Sequence, residues 1–336
     1  VQPELELSAA SAVLMEKETG SILYEKEAHQ KLEPASVTKV MTLLLIFEAL
    51  DSGRIAKEDV VTVSAYAAGM GGSQVYLKEG EQMTVGELVK CITVVSGNDA
   101  AVAMAEYLAG SETAFVAQMN QRAQELGMAD TTFVNCTGLP AQGHITSAYD
   151  IALMSQELVL HHPGIREYST LWMDSIRDGA FGLTNTNRLV RFYPGATGLK
   201  TGSTDSALYC MSATAERDGM ELIAVVMKSP TSADRFEDAK TLLDYGFAAY
   251  TLVNVYPEVP LAPFPVLLGE VGQVQPQLAR ECRLLVRKGQ EEQITTRLTL
   301  AQDLAAPVEQ GQTVGELEVS VDGQVKDTIP ILSTQE

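Results

Sequence analysis

Three short strings follow one another along this 336-residue chain: Ser36-Val37-Thr38-Lys39, Ser96-Gly97-Asn98 and Lys200-Thr201-Gly202. Their residue types suit nucleophilic acyl transfer. A serine hydroxyl is a weak nucleophile at neutral pH and needs a base within hydrogen-bond reach. Lys39, three residues on along a helix, shares the face of Ser36. As an ammonium it cannot accept a proton, so it must be buried or set beside a second positive charge, either of which lowers a lysine pKa. Lys200 is the candidate for that charge. Ser36 at a helix start also puts backbone N–H groups and the positive dipole end beside a reacting carbonyl, half of an oxyanion hole. Ser96 and Asn98 offer a polar bridge, Ser96 relaying a proton to a leaving amine and Asn98 holding a substrate amide. Lys200-Thr201-Gly202 reads as an edge strand whose glycine lets an extended substrate approach closely. Either of the two serine strings arises about once by chance in a chain this long. The ordered triple is much harder to obtain by accident.

Each residue also has a plainer reading. Ser36 makes a good helix N-cap and Lys39 an ordinary solvated side chain. Against this, Lys39 stands among Val40, Met41, Leu43 and Leu44, and Ser36 follows Pro34-Ala35 rather than a polar loop. Ser96 and Asn98 fit a cap between two helices, which is compatible with a chemical role. Arg235 either holds a free carboxylate through a bidentate pair or is a surface arginine paired with Glu237 or Asp238.

The elements that must position these residues are legible from period and punctuation. Ser11–Met15 and Ser21–Tyr24 are β-prone around Thr19-Gly20, a hairpin. Residues 36–50 are apolar at helical spacing after Pro34, so Ser36 opens a long buried helix. Further helices are expected from Val85 to near Ser96, from Asn98 to about Leu108 with Gly110 as stop, over 111–126, and over 147–162. After Lys200 a second hairpin turns at Arg217-Asp218-Gly219, and a helix over about 232–249 follows. The fold class is α+β, an antiparallel sheet with helices. Pro257, Pro260, Pro263 and Pro265 mark the end of the helical pattern, and short alternating runs with an Asp322-Gly323 turn then describe a small all-β domain. The expected domains are residues 1–255, carrying the chemistry, and 256–336, a spacer or docking module.

Composition bounds the function. A chain with 46% hydrophobic and 20% charged residues is an ordinary globular protein. Its net charge of −20 argues against nucleic acid and against simple binding to anionic lipid. No apolar run reaches membrane-spanning length, and the start Val1-Gln2-Pro3-Glu4 has no signal segment, so a cytosolic or a trimmed mature form is expected. Cys91, Cys136, Cys210 and Cys282 form no C-x-x-C pair, and free buried thiols are favoured over one disulfide. The four histidines show no metal-ligand spacing, so no metal or other cofactor is implied.

The chain resembles the low-molecular-mass penicillin-binding proteins of the D-alanyl-D-alanine carboxypeptidase type over nearly all of residues 5–255. Besides the three strings, the likeness rests on Pro34–Thr42, Ser96–Ala101, Asn135-Cys136-Thr137-Gly138-Leu139-Pro140 and Gly143-His144-Ile145-Thr146-Ser147-Ala148-Tyr149-Asp150. The resemblance implies a β-lactamase/transpeptidase-like domain followed by the family's small β domain. It implies that Ser36 is acylated by the penultimate D-alanine of a peptidoglycan stem peptide, releasing the terminal D-alanine, and that water then deacylates it. Lys39 would be the base, and Ser96, Asn98 and Lys200 would complete the network. Thr201 and Arg235 would face the terminal carboxylate, with Gly202 in the substrate-binding strand. The backbone N–H groups of Ser36 and Ser203 would form the oxyanion hole. β-Lactams would inhibit by acylating Ser36. The setting implied is extracytoplasmic, in the cell envelope, with membrane attachment only through a C-terminal anchor absent from this soluble chain. Where the family carries an aromatic or histidine after Lys-Thr-Gly and a glycine further on, this chain has Ser203 and Leu208. Its Asn135-Cys136-Thr137-Gly138 stands where the family has Asn-Pro-His-Gly.

Two rivals remain. A β-lactamase needs a deacylating glutamate in an E-x-x-L-N string, which Glu157-Leu158-Val159-Leu160-His161 approaches, although it reads as a helix face. A non-catalytic envelope protein binding wall peptides or β-lactams is the reading from another class.

Overall fold

The computed structural model describes residues 2–302 and 304–336, which divide into two compact units, Val1–Gly246 and Phe247–Glu336. The first unit opens with strands β1 (Ser11–Glu16) and β2 (Ile22–Lys26), then a 3-10 turn (Ala35–Thr38) and helix α1 (Lys39–Asp51). Strand β3 (Val60–Thr62), the short α2 (Ala65–Ala68) and β4 (Gln82–Thr84) lead into α3 (Val85–Val95), α4 (Asn98–Ala109) and α5 (Glu112–Glu125). Then come α6 (Ala148–His161), α7 (Arg166–Ser169), the hairpin β5 (Met173–Ile176) and β6 (Phe181–Thr184), and α8 (Leu189–Phe192). Strands β7 (Ala196–Thr204), β8 (Leu208–Arg217) and β9 (Met220–Ser229) follow, and helix α9 (Ser232–Ala249) runs through the end of the unit at Gly246.

The main sheet is antiparallel with the order β2-β1-β9-β8-β7, so β7, which carries Lys200-Thr201-Gly202, is an edge strand. Every residue of β1 is buried because both faces of the sheet are covered. Val13 and Met15 join the core formed with α1, α3, α4 and α6. The alternate residue Leu14 lies with Leu222 beneath Gly246 of α9, as the period of two along a strand requires. Helix α1 runs through the middle of the helical layer, with Lys39 to Phe47 all buried. A helix apolar on every side has nowhere else to sit. The β8–β9 turn has Asp218 and Gly219 both at positive φ (50° and 75°), the geometry a two-residue hairpin needs.

In the second unit, β10 (Tyr250–Val255) pairs with β14 (Cys282–Arg287), and β11 (Phe264–Pro265) with β12 (Gln273–Val274). Strands β13 (Pro276–Leu278), β15 (Ile294–Leu300), β16 (Thr313–Val321) and β17 (Gln324–Ser333) form a four-stranded sheet in the order β13-β17-β16-β15. Its core holds Val314, Leu317, Val319, Ile329 and Ile331. The division falls ahead of the proline-marked position because β10, which precedes Pro257, takes its hydrogen bonds from β14.

The pairing of β3 with β4 and the short hairpin β5–β6 were not expected from the sequence. Their strands of three or four residues are too short to show an alternation. All four cysteines are buried free thiols.

Candidate active site

Ser36 lies in the 3-10 turn just ahead of α1, not in the first turn of a continuous α-helix as its spacing suggested. Ala35 takes a left-handed φ of 50°, which regular helix geometry does not admit, and Lys39 N–H returns to Ser36 O in a tight turn. Neither Pro34 nor Thr38, the caps of this turn and of α1, is Ser36, so its hydroxyl is not spent on capping. Ser36 is half-buried, open enough for a substrate to reach.

Two glycines let the backbone close around it. A Cβ on Gly202 would stand 2.6 Å from Ser36 N and 2.8 Å from Val37 N. The close approach that Gly202 permits within the protein is that of the Ser36 turn to β7. Gly138, at φ 90°, faces the Ala35 carbonyl and Ser36 N so closely that any side chain would overlap them.

Lys39 is fully buried, and Nζ has four neighbours: Asn98 Oδ1 at 2.6 Å, Thr137 O at 2.8 Å, Ser36 Oγ at 3.0 Å and Ser96 Oγ at 3.1 Å. Burial brings its pKa down to about 7, against the pull of Cys136 and Asp99 in the other direction. A neutral amine has two N–H donors and one lone pair. Asn98 Oδ1 and Thr137 O can only accept, so they take the two donors, and the lone pair is left for the proton of a hydroxyl, Ser36 or Ser96. The amide orientation of Asn98 is fixed independently, since its Nδ2 donates to Gly71 O at 2.8 Å. That spends one of its amide protons inside the protein.

Lys200 is also buried, donates to Thr201 O at 2.8 Å, and has a pKa held well below the usual lysine value by burial, then by Lys39 and Arg235. Desolvation is the largest cause at both lysines, and the mutual repulsion of Lys39 and Lys200 disfavours the state in which both are charged.

Ser96 is the C-cap of α3 in the left-handed conformation (φ 61°, ψ 34°), and Asn98 is the first residue of α4. The cap and the chemical arrangement coexist. Asn98 N–H donates to Ser73 O at 2.7 Å, and the buried Asp99 carboxylate accepts from Val75 N and Leu77 N, which staples loop 71–77 to this corner. On the far side, His144 Nδ1 accepts from Val134 N–H at 2.8 Å, so Nε2 carries the proton and donates to Thr38 Oγ1 at 2.7 Å. Burial lowers the His144 pKa to about 4.

Arg235 is 7% exposed. Its Nη1 reaches Gly202 O at 3.4 Å and Nη2 donates to Ser232 Oγ at 3.1 Å, while Nε has no partner among the described residues. The guanidinium lies against the rings of Phe236 and Tyr209, and burial lowers its pKa to about 10. Glu237 is taken by Lys240, and Asp238 by Ser8 N, Ala9 N and Ser229 Oγ. Among the described residues no carboxylate pairs with Arg235, so the surface ion-pair reading fails. Thr201 is buried with its hydroxyl on that of Thr186, and Ser203 is exposed on β7 opposite Tyr209. Glu157 is engaged by Arg122 at 2.8 Å and lies 3.7 Å from His161, a helix-face network.

Thr137, Gly138, His144 and Thr186 were not nominated from the three strings. Thr137 acts through its carbonyl, on which side-chain type carries no signal. Gly138 and His144 lie in the two longer strings quoted for the family resemblance.

A family model described as D-alanyl-D-alanine carboxypeptidase matches residues 1–231, and one described as the C-terminal domain of penicillin-binding protein 5 matches residues 258–336. The chain is 41% identical over 338 residues to D-alanyl-D-alanine carboxypeptidase DacF of Bacillus subtilis, covering 99% of this chain and 87% of that one. It is 33% identical over 340 residues to D-alanyl-D-alanine carboxypeptidase DacA of Escherichia coli, covering 98% and 84%. Among solved structures, penicillin binding protein 5 of Haemophilus influenzae superposes with a TM-score of 0.84 at 29% identity, covering 100% of this chain and 99% of that one.

Proposed function

The chain belongs to the D-alanyl-D-alanine carboxypeptidase family, and we propose that Ser36 is the nucleophile and Lys39 the base of its serine-type D,D-carboxypeptidase reaction. The observation that carries this reading is the donor count at Lys39: Asn98 Oδ1 and Thr137 O consume the two N–H groups of the neutral amine. Its lone pair is thereby left 3.0 Å from Ser36 Oγ.

The substrate is a peptidoglycan stem peptide ending in D-alanyl-D-alanine. Ser36 Oγ attacks the carbonyl carbon of the penultimate D-alanine as its proton passes to Lys39 Nζ. The negative charge that develops on the carbonyl oxygen is met by the backbone N–H groups of Ser36 and Ser203. Ser96, within 3.1 Å of Lys39 Nζ, passes the proton on to the departing amine. The C–N bond breaks, D-alanine leaves, and water hydrolyses the acyl ester with Lys39 again taking the proton. Thr201 and Arg235 hold the carboxylate of the terminal residue, which supplies the unmatched guanidinium with its anion. β-Lactams present a similar acyl bond and carboxylate and are the expected inhibitors. Residues 256–336 are read as a spacer or docking module, and the setting as the cell envelope, with membrane attachment of the full-length gene product tested by fractionation.

Intact-protein mass spectrometry after brief exposure to benzylpenicillin tests the assignment. A lasting adduct mapped to Ser36, with D-alanine release from a stem peptide that disappears in Ser36→Ala, is expected. Rapid drug loss without a lasting adduct would instead favour the β-lactamase reading. An unmodified protein and intact drug would favour a non-catalytic binder.

A further inference from the structure

Between β6 and α8 runs Asn185-Thr186-Asn187, whose two asparagines are buried while the threonine between them is exposed. The asparagines act as brackets. Asn185 N donates to Trp172 O and Asn185 Nδ2 to Leu171 O, both at 2.8 Å. Asn187 Nδ2 donates to Gly198 O of β7 at 2.8 Å, and Asn187 N returns to Asn185 Oδ1 at 2.9 Å. Thr186 N itself donates to Val94 O, in the last turn of α3, at 3.1 Å. Three neighbouring segments thus hold the backbone at Thr186, and the Thr186 hydroxyl stands 2.7 Å from Thr201 Oγ1, a residue only 4% exposed.

Two hydroxyls in contact use one proton between them and leave the other free to be donated outward. We propose that Thr186 is a specificity-determining positioning residue whose hydroxyl donates to Thr201 Oγ1, turning the Thr201 proton toward the free carboxylate of the terminal D-alanine. The inference rests on the reading that Thr201 faces that carboxylate. Without Thr186, the Thr201 hydroxyl loses the partner that fixes its rotor, and the carboxylate loses an aimed donor. The loss of one such hydrogen bond corresponds to roughly 5- to 10-fold in rate.

The test compares kcat/KM for a D-alanyl-D-alanine peptide with that for a peptidyl-D-alanyl ethyl thioester, whose leaving group has no carboxylate. Thr186→Val should lower the first roughly 10-fold and leave the second unchanged. Thr186→Ser should restore the ratio, and Thr186→Val should add nothing in a Thr201→Val background. Thr186→Ala serves the same comparison should the valine variant unfold, as thermal denaturation would reveal. If Thr201→Val lowers the ratio while Thr186→Val and Thr186→Ala leave it intact, or if Thr186→Ser loses it as fully as Thr186→Val, the inference is overturned and the carboxylate reading stands. If Thr201→Val leaves the ratio unchanged, the carboxylate reading itself falls.

Discussion

Asn98 Oδ1 lies 2.6 Å from Lys39 Nζ, the shortest of the four contacts around that buried nitrogen. An amide oxygen there accepts an N–H without favouring the charged amine as strongly as a carboxylate would. With the Lys39 pKa near 7, the neutral fraction grows as pH rises, so acylation by benzylpenicillin should climb through pH 7 and level off above it. Asn98→Asp would set a negative charge against Nζ and move that limb alkaline by about 1–3 pH units. At pH 7, where Lys39 is half neutral, acylation would fall roughly 5- to 500-fold. Stopped-flow acylation rates from pH 5 to 10 check it; an unmoved limb in the variant would show that the titrating group is not Lys39.

Gly202 carries the contact between β7 and the Ser36 turn. In Gly202→Ala the new methyl group meets two backbone nitrogens, Ser36 N and Val37 N, neither of which is the yielding end of a flexible side chain. The turn must shift, costing about 1–3 kcal/mol and moving Ser36 Oγ from Lys39 Nζ. Acylation should drop about 100-fold, the scale of a 1 Å misplacement. Gly182→Ala, with nothing within 4 Å and no positive φ, should leave acylation unchanged. Equal acylation rates in both variants would remove this role for Gly202.

The three strings were legible because their chemistry lies in side-chain types at fixed spacings, and the burial of Lys39 because Val40, Met41, Leu43 and Leu44 surround it in sequence. What lay hidden acts through backbone or through long-range packing. The Thr137 carbonyl looks like any other carbonyl in a sequence. Gly202 was marked as a close-approach position, but which segment approaches depends on strand β7 meeting a turn 166 positions away. The helices α3 to α6 were readable from apolar period, and Ser147, where the expected 147–162 helix begins, accepts a backbone N–H as its cap. The β5–β6 hairpin, which leads into Thr186, has no such pattern, so that residue could not be nominated.

His144 links the active-site corner to the acid stability of the fold. Its pKa is about 4 in the folded protein against an ordinary 6.5, so the unfolded chain binds its proton more readily. Its contribution is therefore complete above pH 6.5 and is lost as pH falls toward 4. His144→Gln keeps a side-chain donor and acceptor but no titrating ring, and should flatten the decline of Tm between pH 6.5 and 4. A decline as steep as that of the unsubstituted protein would assign the acid sensitivity to other groups.

Arg235 is the site residue whose removal should separate stability from function. Its guanidinium is buried against Phe236 and Tyr209, lacks a carboxylate among the described residues, and leaves Nε without a partner. A charge in that state costs stability until an anion arrives. Arg235→Leu replaces it with an apolar side chain that suits the two rings, at the loss of the 3.4 Å contact to Gly202 O and the bond to Ser232 Oγ. Tm in the absence of ligand should rise by about 2–4 °C, the shift that ~1 kcal/mol produces in a protein of this size. In the same variant, kcat/KM for D-alanyl-D-alanine peptides should fall roughly 100-fold, as for the loss of a charge-assisted bond. Differential scanning fluorimetry and D-alanine release measure the two effects. A variant that loses stability while keeping its activity would mean that Arg235 braces the start of α9 and does not receive substrate.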